Sequence, residues 1–64
     1  MKFHVPDMTC GHCRASVQEA LARLDPGARV SVDLSARMVE VATAASAPDV
    51  VAALAEIGFP ATPA

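Results

Sequence analysis

The chain has 64 residues, a length that allows one domain; at that size folding buries only about 60% of the surface the unfolded chain exposes. A deep substrate cleft, a nucleotide-binding half or a triad spread over distant loops has no room here. Five cations scattered among seven acids, for a net charge of −2, exclude the basic patch of a nucleic-acid binder. Hydrophobic residues make up 53%, but fourteen of them are alanine, and no run approaches the roughly 18 apolar residues of a membrane span.

Lys2-Phe3-His4-Val5 alternates, which predicts a short first strand with Phe3 and Val5 inward and His4 solvated. Pro6 and Asp7 break the ladder. Thr9 is a candidate N-cap for a helix over Gly11–Leu24, whose inner stripe is Val17, Leu21 and Leu24. Asp25-Pro26-Gly27 stops it. Val30-Ser31-Val32-Asp33-Leu34 and Val39-Glu40-Val41 each alternate with a period of two. They read as a hairpin turning at Ser35-Ala36-Arg37, with four valines on one face. Ser46 with Asp49 three positions on marks a second helix start, and Pro48 is tolerated in its first turn. Val50, Ala53, Leu54 and Ile57 give that helix its buried stripe, and Gly58 ends it. The remainder, Phe59 to Ala64, has two prolines and supplies at most a short edge strand. The order strand–helix–strand–strand–helix–(strand) fits a split βαβ arrangement. It is an α+β fold, with one antiparallel sheet covered on one face by two helices.

The chemistry sits in Met8-Thr9-Cys10-Gly11-His12-Cys13. Two cysteines are too few for a disulfide framework, and the spacing Cys-x-x-Cys reads as a metal or redox pair. Between a strand and a helix start, both thiols lie where unpaired N–H groups and the helix dipole favour thiolate, the metal-binding form. Gly11 is expected to let the backbone turn tightly between the sulfurs. Structural zinc asks for four protein ligands, and the chain offers two Cys and two His, with His12 caught between the cysteines. Soft thiolates select Cu(I), which is content with two or three sulfurs and so leaves room for a partner's sulfur. Arg14, directly after Cys13, either supports the thiolates electrostatically or is an ordinary solvated helix residue.

The stretch Phe3 to Cys13 closely resembles the metal-binding loop of heavy-metal-associated domains: small bacterial copper chaperones and the N-terminal domains of copper-transporting P-type ATPases. The Val-x-Val hairpin and Leu54-x-x-Ile57-Gly58-Phe59 match as well, so the likeness spans nearly all of residues 1–64 as a single domain. The resemblance implies a ferredoxin-like βαββαβ sandwich with a four-stranded antiparallel sheet. It implies Cys10 and Cys13 as Cu(I) ligands and Met8 as a core anchor of the loop rather than a ligand. Phe59 falls where bacterial relatives often carry tyrosine and eukaryotic ones lysine, without the polar group either would bring. The function implied is a copper chaperone that delivers Cu(I) by ligand exchange to the metal-binding domain of a copper-transporting P-type ATPase, with a copper-bridged homodimer as a second association. The N-terminus Met1 to Asp7 has no apolar signal region, so the cytoplasm is the expected compartment. Two other readings of the same pair stand beside this one. Cys10-Gly11-His12-Cys13 also resembles the active site of protein disulfide isomerases, which carry it on a larger thioredoxin fold after a tryptophan this chain lacks. The pair also suits another soft or borderline ion: Zn(II), Cd(II) or Hg(II).

Overall fold

Valine at every second position decides the sheet. In the computed structural model, which describes residues 1–64, Val30 faces Val41 and Val32 faces Val39 across the hairpin. The elements in chain order are β1 (Lys2–His4), α1 (Gly11–Leu24), β2 (Arg29–Asp33), β3 (Met38–Ala42), α2 (Ala47–Glu56) and β4 (Thr62–Pro63). The four strands form one antiparallel sheet in the order β2-β3-β1-β4, the ferredoxin-like arrangement. The five-residue β2 and the two-residue β4 are the edge strands. β4 pairs with β1 through Phe3 with Pro63 and His4 with Thr62, which suits a proline-bearing strand with one free side.

One face of the sheet is apolar and both helices cover it. Phe3, Val5, Val39 and Val41 pack under Val17 and Leu21 of α1 and Val50 and Leu54 of α2, all essentially without solvent contact. No polar or charged side chain is buried, so hydrophobic burial holds this core without internal ion pairs.

Four sequence expectations shift in the structure. Leu24 is not in the inner stripe: it is 37% exposed, and Ala20 is buried instead. The last turn of α1 overshoots the core, leaving Leu24 in a crevice beside Ala20, Ala53 and Ile57. The second strand runs Arg29–Asp33 rather than Val30–Leu34. The Asp33 carboxylate accepts from the Ser35 hydroxyl (2.7 Å) and the Ala36 N–H (3.1 Å), which begins the turn one residue early and takes Leu34 out of the ladder. Arg37 closes that turn at φ +55°, a left-handed position usually given to glycine or asparagine. Gly11 has no positive φ, and an added Cβ would meet nothing within 4 Å, so its backbone freedom is not needed. Thr9 does not cap α1, as described below.

The second helix is bounded as its sequence predicts. The Ser46 hydroxyl accepts from the Asp49 N–H at 3.3 Å, with Pro48 in the first turn. At the other end the Phe59 N–H reaches Leu54 O (2.9 Å) and the Gly58 N–H reaches Ala55 O (3.0 Å), with Gly58 at φ +85°. This is a Schellman ending, and it returns the chain so that Phe59 and Ala61 pack against the core.

Asp25 does more than stop α1. Its carboxylate accepts from the Gly27 N–H (3.0 Å), the Thr43 hydroxyl (2.6 Å) and the Ala44 N–H (3.2 Å). That clamps the end of α1 to the β3–α2 connection. The Thr43 hydroxyl first, then the two N–H groups, hold the Asp25 carboxyl below the ordinary carboxylate range.

Candidate metal centre

The loop between β1 and α1 is shaped by two backbone bonds and one buried side chain. The Val5 N–H donates to Arg37 O (2.8 Å), extending the β1–β3 pairing, and the Met8 N–H donates back to Val5 O (3.1 Å) across Pro6 and Asp7. Met8 then drops its side chain fully into the core beside Phe3 and Val17. The thioether is therefore out of solvent, and the chain on either side of Met8 is exposed.

Cys10, not Thr9, is the N-cap of α1. Its backbone is extended (φ −147°, ψ 172°), its carbonyl accepts the Arg14 N–H at 3.2 Å, and no side chain caps the helix. The helix has no acidic residue in its first turn. Its free N–H groups and positive dipole end are thus unclaimed by any carboxylate. Cys13 lies in the first turn, and its Sγ stands 3.3 Å from Cys10 Sγ and 4.0 Å from the Asp7 carbonyl oxygen. Both thiols are free, Cys10 exposed and Cys13 half-buried.

The environment favours the thiolate of Cys13. A backbone hydrogen bond from Thr9 lowers its pKa most, followed by the Cys10 thiol and the Cys10 backbone, with the Thr9 side chain adding a smaller share. Partial burial opposes them and loses. Thr9, read from sequence as a helix cap, instead lies where it favours the Cys13 thiolate. No periodicity signals such a role, because a thiolate's hydrogen-bond donors leave no repeating pattern.

The other sequence candidates lie apart from the pair or carry no bond to it. His12 is exposed in the first turn, His4 is exposed on β1, and Phe59 is half-buried against the core after α2. Arg14 is exposed and makes no ion pair; the protein's single salt bridge joins Arg23 to Glu19 elsewhere on α1. No group of three or more His, Cys, Asp or Glu side chains comes together anywhere in the molecule. The site is two sulfurs and nothing else.

A surface dithiol at a helix start, on a split βαβ sandwich, defines a class of small metal-binding domain. The chain belongs to the heavy-metal-associated domain family, whose model matches residues 2–60. Among solved structures, a gold binding protein superposes with a TM-score of 0.93 at 44% identity, over 95% of this chain and 94% of its own. The copper chaperone Atx1 from Synechocystis PCC6803 superposes with a TM-score of 0.95 at 27% identity, over 97% and 98%. Oxidized MerP from Ralstonia metallidurans CH34 follows at 0.85 and 28%, over 95% and 89%. A search of curated proteins gives no match. The fold is thus the ferredoxin-like frame of these structures and not the thioredoxin frame of the disulfide isomerases.

Proposed function

We propose that residues 1–64 form a single copper-carrier domain that binds Cu(I) between the thiolates of Cys10 and Cys13. In this reading it passes the ion by ligand exchange to the metal-binding domain of a copper-transporting P-type ATPase. The observation that carries the reading is the isolated sulfur pair: 3.3 Å apart, exposed, stabilised as thiolate at Cys13 and without a third protein donor. Tetrahedral zinc lacks its remaining ligands here, whereas two thiolates are enough for Cu(I).

The pair must open to take a metal. With metal–sulfur bonds of about 2.3 Å, tetrahedral binding needs sulfurs about 3.8 Å apart and linear binding about 4.6 Å. Cys13 is fixed on the helix, so Cys10, at the exposed cap, supplies that movement. A two-sulfur ion held at the surface can be attacked by a third thiolate before either original bond breaks. Metal then moves through a sulfur-bridged intermediate, and the domain behaves as a carrier rather than an enzyme. With no other acceptor a second copy supplies the sulfur, giving a copper-bridged homodimer. The thiols have to stay reduced for this chemistry, which fits the cytoplasm.

Titration of the reduced protein with Cu(I) and Zn(II) against competing chelators tests the reading. The expected result is about one Cu(I) per chain, held far more tightly than zinc, and loss of tight binding in Cys10→Ser and in Cys13→Ser, because hydroxyl is a hard, poor Cu(I) ligand. Near-wild-type affinity in Cys10→Ser would overturn the two-thiolate site.

A further inference from the structure

The uncovered face of the sheet carries a second pair of metal-ligating side chains. Phe3 on β1 and Val39 on β3 are register partners, and both point into the core. The next pair along, His4 with Met38, therefore projects from the opposite, helix-free face. Directly opposed residues of an antiparallel pair hold their Cβ atoms about 4.5–5.5 Å apart. His4 is exposed and Met38 is partly exposed, so both donors are within reach of a solvated ion. On its other side Met38 faces Asp33, whose Oδ1 is occupied by Ser35 and Ala36 in the hairpin turn.

We propose that His4 and Met38 form a second, weaker site for a soft monovalent cation, Cu(I) or Ag(I), held between an imidazole nitrogen and a thioether sulfur. Thioether is a soft neutral donor and imidazole a borderline neutral one that also suits copper, and a monovalent d10 ion accepts two ligands. The methionine chain has three rotatable bonds, which lets its sulfur adapt to the ring across the strand gap. The site is weaker than the thiolate pair because neither donor brings a negative charge. It shares no ligand with that pair: His4 and Met38 belong to β1 and β3, whereas Cys10 and Cys13 belong to the start of α1. Of the other two methionines, Met8 is buried and Met1 lies at the chain start beside Val41. The remaining histidine, His12, lies in the first turn of α1. His4–Met38 is the one place where the register sets imidazole and thioether side by side.

The test uses the Cys10→Ser/Cys13→Ser double variant, so that its outcome does not depend on the dithiol reading, with silver nitrate in chloride-free buffer as the probe. The expected result is that the Met38 methyl and His4 ring resonances shift together and saturate at about one equivalent of Ag(I). His4→Ala and Met38→Leu, added separately, should each weaken binding about tenfold or more, while His12→Ala leaves it unchanged. Met38→Leu conserves volume and keeps the sheet intact, so its result reports on the sulfur alone. Movement of the His4 resonances with Met38 silent, unchanged affinity in Met38→Leu, or loss of binding in His12→Ala would each overturn the site.

Discussion

Met8 separates a structural role from a coordinating one, because truncating it and reshaping it have different consequences. Its side chain is fully buried in the cluster of Phe3, Val5, Val17 and their neighbours. Met8→Ala deletes Cγ, Sδ and Cε from that cluster, a change that costs about 2–5 kcal/mol. A domain of this length has about 3–10 kcal/mol of total stability. The melting temperature should therefore fall by at least about 8 °C, at about 4–8 °C per kcal/mol for so small a domain. Met8→Leu keeps the volume and should cost under about 1.5 kcal/mol. Thermal unfolding by circular dichroism measures both, and a competitive Cu(I) titration on the folded Met8→Leu protein completes the comparison. Its affinity should match wild type, since the thioether is fully buried in the core while the sulfur pair opens to solvent at Cys10. A hundredfold loss, about 2.7 kcal/mol, with the fold intact would make Met8 a ligand and refute the anchor.

Gly58, which ends α2, and Gly11, between the two cysteines, should respond in opposite directions. Gly58→Ala, forced to φ +85°, should cost about 1–2 kcal/mol and lower the melting temperature. Gly11→Ala, in open space in the first turn of α1, should raise stability by about 0.4–1 kcal/mol; a drop in melting temperature there would show that the loop needs its glycine. Asp25 carries a pH signature. Its carboxyl is depressed in the folded protein, so its contribution is complete above the ordinary carboxylate pKa and is lost as pH falls through the lowered value. Urea midpoints of wild type should decline below about pH 4, and Asp25→Asn should flatten that limb; parallel curves would contradict the clamp.

The parts of the fold that sequence exposes are those with a local rule. Alternating valines fix the hairpin register, Ser46 with Asp49 fixes the start of α2, and Gly58 fixes its end. The Cys-x-x-Cys spacing likewise brings Cys10 and Cys13 to one helix start. The parts it hides depend on what lies across the chain. Leu24 continues the apolar stripe of α1 in sequence, but the core has ended by the time the helix reaches it, and small Ala20 takes the buried place. Asp25 reads as a helix stop, and its partners Thr43 and Ala44 lie far away in sequence. Thr9 has the chemistry of a cap but sits one residue too early, because Cys10 is already the half-helical residue. The outward pairing of His4 with Met38 appears only once β1 is known to lie beside β3.

The central claim is that the dithiol hands its metal on rather than storing it, and transfer kinetics test that most directly. The Cu(I)-loaded protein is mixed with a second Cys-x-x-Cys domain, and the rate of metal appearance on the acceptor is followed as acceptor concentration rises. A third thiolate attacking an exposed two-sulfur ion predicts a rate that climbs with acceptor and far exceeds spontaneous release. A rate equal to the slow dissociation rate at every acceptor concentration would contradict the carrier mechanism.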